Sequence, residues 1–136
     1  MFGTRLDTSQ MDDLFVTLLS ESLPDFRFDR VKIGTSGIPI RVLRRFNGAG
    51  MTLGHHIYVL PEYYDMQSFR GLSIIAHELK HVEQHERQGM LRHSIMYSID
   101  FIRNRFKYSE SLPLEREAYN FERELMYRYS RMKMRR

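Results

Sequence analysis

The chain has 136 residues, 42% of them hydrophobic, with a formal net charge of +4, which suits one domain with a modest core spanning residues 1–136. It has no cysteine, which excludes disulfides and thiolate metal sites. It also has no run of about 18 apolar residues that would span a membrane. The start lacks a basic segment followed by an apolar one, so we expect a cytoplasmic protein, with signal-independent export as an alternative.

The first element along the chain is predicted to be a helix over residues 9–23. Ser9 is the expected N-cap, and Pro24 ends the helix because the residue before a proline avoids helical angles. Its apolar residues recur at helical spacing and predict a packing face without chemistry. They are Met11, Leu14, Phe15, Leu18 and Leu19.

A β-region follows, with short strands predicted over residues 31–33, 38–43 and 54–60. Pro39 marks the second strand as an edge or a bulge, because proline cannot donate a ladder hydrogen bond. Residues 47–50, Asn-Gly-Ala-Gly, read as a loop. Pro61 is expected to end the third strand.

The remainder reads as helical. Asp65 or Ser68 opens a helix that Gly89 closes, and two further helices are predicted over residues 90–107 and 113–131, separated by a turn. The core stripe of the last helix is expected to be Leu114, Ala118, Phe121 and Leu125. The predicted fold class is therefore α+β, with an N-terminal helix, a small mixed sheet, a central helix and two C-terminal helices.

The central helix carries the pattern H-E-x-x-H at His77, Glu78 and His81. Four residues make about one helical turn, so both imidazoles point the same way and can bind one Zn²⁺ at about 2.0–2.1 Å. Glu78 lies beside them, where a general base of a metallopeptidase would act on water. The core stripe falls on another side of the same helix, at Leu72, Ile75, Leu79 and Val82.

Catalytic zinc usually has a third protein ligand and one open position. Without cysteine, the candidates that follow the motif include His85, His93, Asp100, Glu110, Glu115 and Glu117. We choose Glu115, because the first turn of a helix favours a carboxylate and the small Ala118 allows close helix approach. Glu117 points about 200° away around the helix, and His85 lies about 11 Å from His77 along the axis.

Residues 76–84 (AHELKHVEQ) and 113–119 (PLEREAY) resemble small gluzincin-type zinc metallopeptidases. They are most similar to the compact minigluzincins and to a related domain found near contractile injection systems. Residues 54–59 (GHHIYV) resemble the strand that precedes the motif helix in that group. The resemblance implies a zincin-like fold, with His77, His81 and Glu115 as zinc ligands and Glu78 as base. It also implies that residues 55–60 form an edge strand that pairs with an extended peptide.

One position departs from this family. Related gluzincins often carry Asp four residues after the third ligand, to orient a metal-bound histidine, and Tyr119 occupies that place here. Its hydroxyl is a candidate for the same task. A second donor to the oxyanion is also expected. Its candidates are Tyr97, Tyr108, Tyr119, His85 and His93.

We therefore expect a zinc-dependent endopeptidase with one catalytic zinc, acting on a peptide or protein through a zinc-activated water with Glu78 as general base. The alternative is a catalytically inactive or latent zincin-like module for binding or delivery. Nucleic-acid binding is disfavoured, because only charge supports it. That charge is concentrated at Arg128, Arg131, Lys133, Arg135 and Arg136, where basic residues also suit a helix C-terminus.

Overall fold

A computed structural model describes residues 4–89 and 113–135, and within these ranges the fold is α+β, as predicted. No helix of this part is long and apolar enough to cross a membrane. The predicted helix over residues 90–107 and most of the predicted turn lie outside the described residues. The helices are α1 Asp13–Ser22, α2 Ile38–Arg45, α3 Phe69–Gln88 and α4 Pro113–Met134, and the strands are β1 Thr4–Arg5, β2 Lys32–Gly34, β3 Gly50–Leu53 and β4 His56–Val59.

The four strands form one mixed sheet in the order β1-β2-β4-β3. β4 pairs in parallel with β2 and antiparallel with β3, so that Ile57 lies opposite both Ile33 and Thr52. The expectation that residues 55–60 form an edge strand is therefore wrong, because hydrogen bonds occupy both sides of β4. The edge strands are β1 and β3, and β3 begins at Gly50, the last residue of the predicted loop.

The predicted strand over residues 38–43 is also wrong, since this segment is helix α2. Ile40 and Leu43 are buried at a spacing of three residues, which places them on one side of a helix. Gly37, with a φ of 97°, turns the chain into the helix. Pro39 lies in the first turn, where its missing N–H is not needed.

Helix α1 begins later than predicted, at Asp13, because Asp12 rather than Ser9 is its N-cap. The Asp12 carboxylate accepts a hydrogen bond of 2.9 Å from the backbone N–H of Leu14. It also accepts hydrogen bonds from Tyr129, at 2.9 Å, and from Lys133. The same carboxylate therefore caps α1 and links it to α4.

Helix α3 begins and ends as the sequence predicts. The Ser68 side chain accepts a 2.9 Å hydrogen bond from the Gly71 N–H, and Gly89 ends the helix with a φ of 86°. The predicted stripe Leu72, Ile75, Leu79 and Val82 is fully buried in the main core. Of the predicted α4 stripe, Leu114, Ala118 and Leu125 are buried, and Phe121 packs partly buried against the core.

We predict that Gly71→Ala destabilises the protein, although alanine normally stabilises a helix by about 1 kcal/mol over glycine. A Cβ at position 71 would overlap the Asp65 backbone carbonyl, so the start of α3 must shift. Urea denaturation should show a loss of about 1–3 kcal/mol. Ser20→Ala, at an exposed position of α1, is the control and should be neutral or slightly stabilising. A stabilised Gly71→Ala variant would contradict this account.

Candidate metal centre

Helices α3 and α4 bring His77, His81 and Glu115 together in the core. One ligand atom from each lies within 4.8 Å of the others, and the three residues are only 3–7% exposed. The Oε1 atom of Glu115 lies 3.3 Å from Nε2 of His77 and also hydrogen-bonds Nε2 of His81. This is the trio of residues that the sequence analysis selected. His85 and Glu117 do not belong to this group.

The second nitrogen of each imidazole has its own partner. Nδ1 of His77 lies 3.0 Å from Glu122 Oε1, and Nδ1 of His81 lies 2.8 Å from Gln84 Oε1. Both partners are acceptors, because the Gln84 amide nitrogen donates elsewhere, to the Leu114 carbonyl and to Glu117. Each Nδ1 therefore carries a proton, and in the neutral ring this leaves the Nε2 lone pair facing Glu115.

The sequence motifs predict neither of these partners. Glu122 lies seven residues after Glu115, which is close to two helical turns, so both side chains lie on one face of α4. Ser73 also donates a hydrogen bond to Glu122. Tyr119, considered as the partner of a histidine, contacts His77 through its ring instead, with the centroids 4.4 Å apart. A search for acidic residues at i+7 as well as i+4 would have found Glu122.

Glu78, the predicted base, is buried next to the imidazoles with 5% exposure. The Thr52 hydroxyl of β3 lies 2.8 Å from Glu78 Oε1, where it donates a hydrogen bond. Gly50, at the start of β3, lies so close that a Cβ there would be 3.2 Å from Glu78 Cγ. The edge strand therefore holds this carboxylate from one side, and the absence of a side chain at Gly50 leaves room for it.

Burial and mutual contacts shift the pKa values of these groups in opposite directions. Burial lowers the pKa of His77, but hydrogen bonds to Glu115 and Glu122 outweigh it and raise the pKa to about 10. Burial raises the pKa of Glu115, but hydrogen bonds from both histidines outweigh it and lower the pKa to about 2. Burial raises the pKa of Glu78 despite the neighbouring imidazoles. Without a metal, the histidines therefore hold protons where an ion would otherwise sit.

A cavity of about 350 Å³ opens onto this cluster. It is lined by residues 47–50, by Ile74, His77 and Glu78 of α3, and by Glu115, Tyr119 and Glu122 of α4. Of the candidate oxyanion donors, Tyr119 lines this cavity. His85 instead packs against His55, with the ring centroids 5.6 Å apart. Tyr97, Tyr108 and His93 lie outside the described residues.

The family model of the eCIS core domain, the core domain of extracellular contractile injection systems, matches residues 16–89. This is more than half of the chain, and the chain belongs to this family. Membership associates the protein with contractile injection systems, in agreement with part of the resemblance noted in the sequence. The matched range contains His77, Glu78 and His81 but ends before Glu115. No curated protein and no solved structure matches the chain significantly.

We predict that the metal-free protein is most stable between about pH 4.5 and 6.5. The pKa of His77 rises from 6.5 to about 10 on folding, so its contribution is present below pH 6.5 and is lost as the pH rises towards 10. The pKa of Glu115 falls from 4.5 to about 2, so its contribution is present above pH 4.5 and is lost as the pH falls towards 2.

Urea denaturation in EDTA from pH 3 to pH 10 measures this dependence. The decline in unfolding free energy above pH 6.5 should be smaller in His77→Gln, because one of the two imidazoles with a raised pKa is gone. Stability that rises steadily from pH 6 to pH 9 would contradict this prediction.

Proposed function

We propose that the protein is a zinc-dependent metallopeptidase in which His77, His81 and Glu115 bind the metal and Glu78 is the general base. The observation that carries the proposal is the convergence of these three ligand atoms, beside a cavity that His77, Glu115 and Glu78 line. Two imidazoles and one carboxylate form the ligand set of several zinc peptidases. The natural substrate is accordingly proposed to be a peptide or protein.

The donor set fits zinc in chemistry, and the His77–Glu115 pair fits it in spacing. His81 Nε2 and Glu115 Oε1 are in direct hydrogen-bond contact and would have to move apart to admit an ion. Ligands at about 2.0–2.1 Å in a tetrahedron lie about 3.3–3.4 Å from one another, and the separation between His77 Nε2 and Glu115 Oε1 is 3.3 Å. The hydrogen bonds at both Nδ1 atoms select the tautomer that offers Nε2 to a metal. A bound zinc ion would supply Lewis acidity, which activates water and polarises the scissile carbonyl.

Glu78 is placed to move the proton. Its carboxylate faces the cavity and takes a proton from the attacking water, then passes it to the leaving amine. Burial raises its pKa, which brings a carboxylate closer to the range in which it both accepts and releases a proton. The Thr52 hydroxyl fixes one carboxylate oxygen, so the other oxygen is directed towards the reaction.

Tyr119 is the described residue best placed to donate a hydrogen bond to the developing oxyanion. Its ring packs on His77, and Tyr119 lines the cavity. Burial, together with the nearby carboxylates, raises the pKa of its phenol. The hydroxyl therefore keeps its proton at neutral pH and is able to donate it.

The ligand set predicts that the purified protein binds about one equivalent of zinc. His77→Ala and Glu115→Ala should lose stoichiometric binding, because each removes a ligand. Glu122→Gln should weaken zinc binding by about 10- to 100-fold, the usual effect of removing a partner of a metal-bound histidine. Competition titration with a chromophoric chelator measures all of these affinities.

Glu124→Gln is the matched control for Glu122→Gln, since Glu124 lies on an exposed part of the same helix, and it should bind zinc like the wild type. Full zinc occupancy in both His77→Ala and Glu115→Ala would refute the ligand set.

The mechanism predicts that Glu78→Gln retains zinc and loses hydrolysis. Glutamine has nearly the same shape but cannot accept the proton, and loss of a general base costs about 10²- to 10⁴-fold in rate. Digestion of a peptide library by the zinc-loaded proteins, followed by mass spectrometry, measures this difference. Unchanged cleavage by Glu78→Gln would reject Glu78 as the base. A wild-type protein that binds zinc and peptide without cleaving would instead support the alternative of a binding or delivery module.

A further inference from the structure

A second cavity of about 400 Å³ adjoins the metal-site cavity. The two share three lining residues, Asn47, Gly48 and Ala49, which belong to the loop between α2 and β3. The second cavity is polar, and its charged side chains are Arg44, Glu62 and Arg70. A substrate that crosses the metal site along this loop therefore reaches a cationic region.

Glu62 does not neutralise both arginines. Its two carboxylate oxygens each accept a hydrogen bond of 2.8 Å from Arg44, so Glu62 is paired with Arg44 and not with Arg70. The Arg70 guanidinium lies over the ring of Tyr63, 4.1 Å from the centroid. No carboxylate within residues 4–89 and 113–135 pairs with it. The ring orders the guanidinium, and its N–H groups remain able to bind an anion.

Arg70 belongs to the same face of α3 as the metal ligands. It precedes His77 by seven residues, which is close to two full turns, and Ile74 lies between them in the wall of the first cavity. The rise between positions 70 and 77 is about 10.5 Å, the length of roughly three residues of an extended peptide. An extended substrate would therefore place roughly three residues between the metal site and the Arg70 guanidinium.

We propose that the second cavity is a substrate subsite that binds a carboxylate through Arg70, about three residues from the scissile bond. This inference rests on the proposed peptidase function and names its substrate class: peptides that carry a negative charge at that distance. The carboxylate is either an Asp or Glu side chain or the C-terminal carboxylate of the substrate. Both offer two oxygens to the planar guanidinium.

The test uses zinc-loaded full-length protein and quenched fluorescent peptides of one neutral sequence. A single Glu, or Gln as its uncharged match, is moved through the positions on both sides of the scissile bond, and each peptide is made with a free and an amidated C-terminus. We expect kcat/KM to be about tenfold higher for Glu than for Gln at one position, as for one charge-assisted hydrogen bond. If kcat/KM is higher for peptides with a free C-terminus but does not depend on Glu at any position, the subsite binds the C-terminal carboxylate of the substrate.

Arg70→Met keeps the apolar stem and removes the charge, so it should abolish this preference, and kcat/KM should become the same for the Glu and the Gln peptide. Arg41→Met is the control, because Arg41 is exposed on α2 and lines neither cavity, and it should keep the preference. Equal cleavage of Glu and Gln peptides and of free and amidated peptides by the wild type, or a preference that persists in Arg70→Met, would overturn the proposal.

A binding measurement separates failure of the subsite from failure of the peptidase function. If the wild type cleaves none of the peptides, fluorescence anisotropy with zinc-loaded Glu78→Gln protein decides. We expect the charged peptide to bind about tenfold more tightly than its neutral match, and this difference should disappear when Arg70→Met is added. That result would support the carboxylate site even without hydrolysis. Equal affinities for the two peptides would overturn it.

Discussion

The contact between Glu115 and the paired imidazoles is the interaction on which the rest of the structure depends. It joins α3 to α4 in the core, where an unpaired carboxylate or imidazolium would be costly. Ala118, one turn after Glu115, is fully buried, and its small side chain allows the two helices to approach. The same approach that packs the helices therefore brings Glu115 to His77 and His81.

The hydrogen bonds around His77, His81 and Glu115 belong both to the interface between α3 and α4 and to the candidate metal centre. Gln84 accepts from His81 and donates to the Leu114 carbonyl and to Glu117, so it fixes an imidazole and the start of α4 together. Glu122 fixes the other imidazole and binds Ser73 of α3. These buried polar groups satisfy one another, which makes the geometry specific as well as stable. In metal-free protein, protons on the histidines compensate the charge of Glu115.

The sheet contributes to the side of the candidate site on which Glu78 lies. β3 lies at the edge, where Thr52 and Gly50 approach Glu78, and the loop before β3 lines both the metal-site cavity and the cavity of Arg70. The eCIS core match includes these strands and α3 but not α4. The matched range therefore contains His77, Glu78 and His81, while Glu115 and Glu122 lie beyond it on α4.

Features that depend on spacing within one helix can be predicted from the amino-acid sequence alone. Helical periodicity of 3.6 residues per turn predicts the shared face of His77 and His81 and the buried stripe from Leu72 to Val82. Local hydrogen bonds predict the caps of α3. Only the tertiary structure decided that residues 38–45 are helical, that β4 is central, and that Glu122 rather than Tyr119 binds the His77 Nδ1. These outcomes depend on which surfaces meet across long sequence separations, and a local pattern does not contain that information.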